Sequence, residues 1–579
     1  MSLRTPVTYL ALSYVWGDAT QQIPIRLEGE NHCRDPNSRP VTIRKNLGAF
    51  LHFLRCNYDM ILRHIGKGME LRLWADAICI NQEDLDERTS QVRMMKNIFE
   101  SAEHVLAWLG PDDADIEPGV LKMLEVHKIR PGARVWDAAD MSSELTQFFR
   151  HELNTDFAGG WKSLRAFYDL EHWARIWVHQ ECCLDVPTTF ICATHLLPRE
   201  MLLDLYHILE EADALGVAPN ILPSNTSLLS IFNAIEERHI FARDSPEYSL
   251  VRTAFTKQHC AATDPRDKVY AIVGLANDCE NSAFLQIDYN RPVAEVYRDV
   301  VLHDFYTNMS FGWLAFAGPP ESSNLSLPSW VPDWSYRHSG NLPFPMVKSL
   351  EEDDGAPKDL SYRASSNMDT VDAPKRWPPR GSEFKKQFLR LRAHCVGRLV
   401  EQRPLPVAEA GRCALDELPY RNGSGAYTPS SESFCEAFLR TITADVLIEN
   451  GYLEEHLSHL EPGADLVGIV QSASPTESER RRRDAYESLY SATYKRSLVF
   501  TDTGYMGLAP EYAQTEDTIW MFLGAPVFYV LRETGTRTNP WEEPEYTFIG
   551  EAYIHGLMDG EALAVVEVDR AQLQQIVVR

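Results

Sequence analysis

Apolar and polar positions change period several times in the first two hundred residues, and each change marks an element. Tyr9 to Trp16, YLALSYVW, is an apolar, aromatic run that predicts a strand, stopped by Gly17 and Asp18. Leu47, Phe50, Leu51 and Leu54 then recur at helical spacing. Leu71 to Ile80 is again mostly apolar, as expected of a strand covered on both faces in a parallel sheet. Asp76 interrupts that run, and Asn81, Gln82, Glu83 and Asp84 end it. Val92, Met95, Ile98, Phe99 and Ala102 follow at helical spacing, predicting a helix from about Glu87 to Ser101. His104 to Leu109 makes a third strand, closed by Gly110 and Pro111. Three successive βα steps predict a parallel α/β sheet with right-handed crossovers.

Beyond it, residues 111–160 read as a partly helical insertion with an acidic start. TTFICAT, 188–194, is a fourth strand, and 198–212 reads as a helix with Pro198 near its first turn. Two helices separated by the turn TDPRD, 263–267, are expected between Pro246 and Ala276, and another helix starts at Asp288 to Pro292. PSWVPDWS, 328–335, is too rich in Pro and Trp for a regular element. Residues 336–384 turn Pro- and Ser-rich, as in a linker or irregular excursion. After a polar break at 420–433, helical segments run to about Tyr494. The tail from Ser497 has short strand-like runs punctuated by glycines and predicts a β-rich unit closing on a strand around Leu389 to Arg392. The expected organisation is a core over 1–185, a mainly helical continuation over 186–335, the excursion 336–384, and an α+β region over 385–579.

Composition narrows the functions. With 579 residues the chain can bury more than one core, and a formal net charge of −27 argues against binding nucleic acid or an anionic membrane through phosphates. The basic run Arg480 to Arg483 is followed by Asp484 and Glu487 and reads as a solvated helix face. The apolar stretch Ile519 to Leu531 contains Gly524 and Pro526 and is too short to span a bilayer, so no membrane span is expected. Thr8, Tyr9, Ser13 and Tyr14 break up what would otherwise resemble a signal peptide, so the start reads as a strand of the mature domain. The 11 cysteines, scattered without a CxxC pair, suggest thiols in a reducing, cytoplasmic setting.

Ligands of open α/β sheets bind beyond the carboxyl ends of the strands, which makes Asp76, Asn81 and Gln82 candidates. The competing reading is that Asp84 or Asp86 caps the next helix and Asp76 is a hydrogen-bonded interior acid. His179, Cys182, Cys192 and His195 have a spacing that zinc would accept, although cysteines in apolar segments commonly act as small buried hydrophobes.

Several blocks then resemble one family. ALSYVWGD (11–18), LWADAICINQEDLDERTSQVRMMKNIFESAEHVLAWLG (73–110), WARIWVHQE (173–181) and DPRDKVYAIVGLA (264–276) are similar to successive blocks of the fungal heterokaryon-incompatibility (HET) domain. PSWVPDWS, TDTGYMGLAP (501–510) and YIHGLMDGEAL (553–563) resemble segments that accompany it. The resemblance implies non-self recognition between fungal cells, ending in growth arrest or programmed cell death, with a protein partner or self-association. Members usually carry more residues before the ALSYVWG block than the ten here, which suggests a further upstream segment in the family.

HET domains have been likened to Toll/interleukin-receptor (TIR) domains, which implies a flavodoxin-like sheet flanked by helices. Trp177 to Glu181 resembles the TIR pattern of a Trp four positions before a glutamate. In TIR domains that cleave NAD that glutamate is catalytic, so the resemblance implies NAD as a candidate substrate, no required cofactor, and Glu181 as the residue holding the nicotinamide ribose and stabilising an oxocarbenium-like state. Ser13 and Asp76 would orient ribose or phosphate, Trp16 or Trp177 would stack on a base, and Arg175 would pair with a phosphate. The alternatives are that Trp173 and Trp177 are core, and that Arg175 and Glu181 join a structural network with Asp264, Arg266 and Asp267. A HET domain acting purely by association and a hydrolase using the His/Cys set are the competing functions.

Overall fold

The computed structural model describes residues 8–26, 41–66, 72–111, 115–129, 147, 151, 160–182, 184–214, 249–279, 282–308, 310–318, 325–335, 383–385, 387–405, 427–430, 432, 434–444, 492–562 and 572–579. Residues 336–382 of the expected excursion 336–384, and most of the helical region before Tyr494, lie outside them. Two compact units result: Met1–Asn281 with Leu285–Pro292, and Ser282–Phe284 with Val293–Arg579.

The first unit is built on β1 (Leu10–Tyr14), β4 (Leu73–Trp74), β5 (His104–Gly110), β6 (Thr188–Cys192) and β7 (His195–Pro198), in the order β4-β1-β5-β6-β7. The first four are mutually parallel, and β7 returns antiparallel as a hairpin. Taken in chain order, the parallel strands lie 2-1-3-4, the flavodoxin-like arrangement, whose topological switch point falls between β1 and β5. A separate hairpin of β2 (Gln22–Ile25) and β3 (Val41–Arg44) leads into the helix Lys45–Cys56.

Alternation along each strand sends side chains to two cores. Leu12, Leu106, Trp108 and Ile191 face the helix Lys45–Cys56 through Leu47, Phe50 and Phe53. Phe50 stacks on Trp108 with centroids 5.2 Å apart, worth about 0.5–1.5 kcal/mol beyond the area buried. Ala107 and Phe190 face the other way, toward Phe167, Trp173, Leu202 and Leu205. Trp173 is therefore core, as its helical spacing allowed.

Three expectations need correction. The run Leu71 to Ile80 is not one strand: pairing stops at Trp74, and Asp76–Cys79 is a helical turn. Asp76 stands in its first turn, where its carboxylate accepts from the Ala77 N–H at 2.8 Å, a local bond that competes with continued strand pairing. The helix read from Glu87 to Ser101 is two, Leu85–Val92 and Met95–Glu100, with the break at Arg93, whose side chain turns away to the Ile287 carbonyl at 2.7 and 2.9 Å. Pro198 closes β7, and the helix begins behind it at Arg199.

Asp84 does cap the Leu85–Val92 helix, accepting from Asp86 N and Glu87 N at 3.0 and 3.1 Å. Asp84→Ala should cost about 1 kcal/mol, measured as a shift in the urea midpoint.

In the second unit β9 (Phe388–Pro404), 17 residues long, changes partners along its length. Its first part pairs with β15 (Leu573–Val578), its middle with β12 (Thr518–Phe522) and its last with β10 (Arg496–Thr501). With β11 (Met506–Pro510), β13 (Phe528–Glu533) and β14 (Glu545–Ile554), the pairings β9-β10-β11-β14-β13-β12-β9 close a ring, which leaves those strands no free edge. The short β8 (Glu383–Lys385) pairs with β9 outside the ring. The β-rich tail closing on a strand near Leu389 is thus what the chain forms. Gly507 is required where β11 meets β14, because a Cβ there would lie 2.2 Å from the Tyr553 carbonyl oxygen.

Glu545 is fully buried and accepts from Asn539 N (2.6 Å), Asn539 Nδ2 (3.0 Å), Thr536 Oγ1 (3.0 Å) and Thr538 Oγ1 (3.2 Å). Burial pushes its carboxyl upward, but the Asn539 and threonine donors outweigh it and hold it below the usual carboxylate range. A depressed folded value gives stability that is present above the unfolded carboxyl value and lost as pH falls through the folded one. Glu545→Gln should therefore cost about 1–2 kcal/mol near neutral pH and less in acid, measured by thermal melts at both pH values.

Candidate functional site

At the carboxyl end of β1, next to the switch point, the chain gathers most of the residues singled out above. Ser13 points to the same side of the sheet as Ala107 and Phe190, its register partners across β5 and β6. There its hydroxyl donates to Glu181 Oε2 at 2.5 Å. Glu181 comes from the helix Ile176–Cys182. That helix is preceded by Glu171–Ala174, and the two are separated at Arg175, whose extended backbone forms a bridge with Ala261. Ser13 and Glu181 are both buried, at 1% and 6% exposure. Burial pushes the Glu181 carboxyl above its usual range; Arg175 and the Ser13 hydroxyl pull it back, and the charge of Asp76 adds to the rise.

Asp76 closes the other side. Tyr14 donates to its Oδ1 at 2.5 Å and the Trp16 indole N–H to its Oδ2 at 2.8 Å, while Gln82 Nε2 donates to its backbone carbonyl at 3.2 Å. The Tyr14 hydroxyl is held far above the ordinary phenol range, by burial first and then by Asp76. Arg175 donates to the Tyr14 carbonyl oxygen. The loop leaving β1 is fixed from behind: Asn46 Nδ2 donates to the Val15 carbonyl at 2.6 Å and Arg44 NH1 to the Gly17 carbonyl at 2.7 Å. Gly17, at φ +72°, makes the left-handed turn that follows Trp16.

Ser13, Asp76, Glu181, Arg175, Trp16 and Gln82 thus come together. Asn81 does not: it is exposed, and its side-chain Oδ1 accepts from Glu83 N in a turn while its backbone N–H goes to Glu87 Oε1. Trp177 gives its indole N–H to Asp267. Asp267 also accepts from Tyr289 at 2.5 Å and lies 3.7 Å from Arg88, whose guanidinium sits 3.7 Å above the Tyr289 ring. Arg266 pairs with Asp264 at 2.9 Å. The DPRD turn therefore pins its own surroundings and holds Trp177, but it does not take in Arg175 or Glu181 through any hydrogen bond among the described residues. His179 faces Cys260 Sγ at 3.1 Å, and Cys182 and Cys192 lie in the apolar core, so the zinc-like spacing is not assembled.

Sequence reasoning missed Tyr14 and Arg44. Tyr14 follows Ser13 on β1 within an apolar, aromatic run, and only its hydroxyl, reaching Asp76, makes it part of the site. Arg44 carried no signal at all, since it stands at the end of a hairpin whose fold-back is a tertiary event.

Such a set, with two coupled carboxylates at the switch point, one buried under a hydroxyl and flanked by a cation, is able to face a developing positive charge away from bulk water. The comparisons agree with the order of blocks. Residues 9–181 match the family described as "Heterokaryon incompatibility protein (HET)", and the match ends on Glu181. Residues 475–572 match the "Het-6 beta-barrel domain", which spans β10 to β14; β9 and β15 lie outside it. The chain thus carries a segment similar to the HET family and, after it, one similar to the Het-6 β-barrel domain. A similar curated protein is heterokaryon incompatibility protein 6, OR allele, of Neurospora crassa, 24% identical over 658 aligned positions that cover 97% of this chain and 91% of the relative. No solved structure matches. Among the described residues, no helix is long and apolar enough to cross a membrane.

Proposed function

We propose that this protein acts in non-self recognition by arresting growth or killing the cell, and that its HET domain does so as an enzyme that cleaves the N-glycosidic bond of NAD. The observation that carries the reading is the buried Ser13–Glu181 hydrogen bond at the β1/β5 switch point, electrostatically coupled to Asp76 and Arg175. In the reaction the C1′–N bond breaks and both its electrons leave with nicotinamide. The ribose cation that forms is stabilised by the Glu181 carboxylate, water adds at C1′, and one proton is released, giving ADP-ribose and nicotinamide. A ribose hydroxyl takes the place of the Ser13 hydroxyl on Glu181, so the carboxylate exchanges one donor for another as substrate enters. Asp76, oriented by Tyr14 and Trp16, adds the second negative charge. No cofactor is needed for this chemistry. A protein partner or a second copy of the chain provides the trigger.

The test is NAD loss over time with purified protein at high concentration and tethered into oligomers, beside Glu181→Ala. Loss with the wild type and none with a folded variant supports the enzyme. No loss in either format favours a HET domain that signals by association alone, with Glu181 structural.

A further inference from the structure

Arg175, the residue expected to meet a substrate phosphate, is otherwise engaged. Its guanidinium donates to the Tyr14 carbonyl, its backbone bridges to Ala261, and its charge acts on the buried Glu181. Arg44 stands differently. Its guanidinium lies over the Trp16 ring, 4.9 Å from the centroid, and among the described residues its one hydrogen bond runs from NH1 to the Gly17 carbonyl at 2.7 Å. It is half-buried, and the guanidinium has further N–H groups beyond the one given to Gly17. Asp18, an acid whose charge feels Arg44, has its carboxylate taken by Thr20 N and Oγ1 at 2.8 Å each and by Gln21 Nε2 at 3.3 Å. The Trp16 ring under Arg44 donates to Asp76, so Arg44 is tied in one chain, Arg44–Trp16–Asp76, to the carboxylates that would act on the ribose.

We propose that Arg44 binds the diphosphate of the nucleotide substrate and makes the HET domain select a dinucleotide over the unphosphorylated riboside. The inference rests on the glycohydrolase reading above. An arginine fork held by a carbonyl on one edge and an aromatic face below presents its other edge in a fixed plane, the geometry suited to bidentate phosphate contact. A lysine could supply the charge but neither the plane nor the stacking.

The experiment compares wild type, Arg44→Gln and Arg44→Lys with NAD and with nicotinamide riboside, which has the same scissile bond and no phosphate. Arg44→Gln keeps an amide donor for the Gly17 carbonyl. The expected result is a fall of about 10–100-fold in the ratio of kcat/KM for NAD over riboside, through KM for NAD, with Arg44→Lys between. Equal losses for both substrates would mean that Arg44 only holds the loop, and no change would mean that it meets no phosphate; either overturns the inference while leaving the glycohydrolase intact. If wild type cleaves neither substrate, the glycohydrolase reading fails, and calorimetric binding of ADP-ribose decides Arg44 alone. Binding weakened at least tenfold by Arg44→Gln would support the phosphate contact; binding unchanged, or absent in the wild type, would end it.

Discussion

Glu181→Gln should abolish NAD cleavage, lowering kcat by about 10²–10³-fold or more, while the protein melts at the wild-type temperature or above it. The two halves of this result have one cause. Burial raises the folded carboxyl above its usual value, with Asp76 adding to the rise against Arg175 and Ser13. Between the unfolded value and the raised folded one, the folded chain holds a proton that the unfolded chain has released. Stability therefore falls as pH rises through that window. The amide removes this penalty and still accepts from Ser13 through its carbonyl oxygen, so folding gains while the negative charge needed by a ribose cation is gone. The same shift sets the pH profile of the wild type: kcat/KM should rise with pH along a limb centred above the ordinary carboxyl range, and the limb should be missing in the residual activity of Glu181→Gln. Activity equal to wild type in the glutamine variant would remove Glu181 from the chemistry.

What the sequence made legible follows periodicity. The βα order of the first unit could be read because buried parallel strands are near-continuous apolar runs and because Val92, Met95, Ile98 and Phe99 keep helical spacing. It failed at Leu71 to Ile80 for a reason local to one side chain. A single half-buried carboxylate drew the N–H of the next residue, Ala77, together with Tyr14 and Trp16 to itself, and satisfying it outweighed continued pairing of an apolar strand. The same competition explains the site. Asp76 was visible as the polar break in an apolar run, and Ser13 and Glu181 through the family resemblance, and the three do converge. Asn81, equally polar and equally well placed in the chain, went to a turn because Glu83 N and Glu87 offered partners within six residues. Trp177 was legible as an aromatic four positions from Glu181, but Asp267, 90 residues away, takes its indole, and no local pattern encodes that pairing. In the second unit, glycine punctuation announced strands, whereas ring closure depends on β9 changing partners along one strand, which only the register reveals.

Arg496→Met should destabilise the barrel by about 3–5 kcal/mol, lowering its melting temperature by roughly 6–20 °C at about 2–4 °C per kcal/mol. Arg496 and Glu551 face each other between β10 and β14 at 2.7 Å, with side chains only 3% and 6% exposed, and Arg496 also donates to the Ala492 carbonyl at 3.1 Å. The pair's net worth is small, because two desolvated charges gain from each other about what they lost in leaving water; the large cost comes from leaving one of them behind. Methionine fills the space of the arginine stem but strands the Glu551 carboxylate beside Tyr529, whose phenol is already pushed up by burial and then by that same charge. Two consequences separate this account from a packing defect. Removing the second charge as well, in Arg496→Met with Glu551→Leu, should recover most of the loss. The single variant's deficit should also shrink on acidification, since a stranded carboxyl takes up a proton more readily folded than unfolded, and a raised folded value means stability that grows as pH falls. A deficit that stays constant from neutral to acid pH and persists in the double variant would show that Arg496 contributes by its volume and not by its charge.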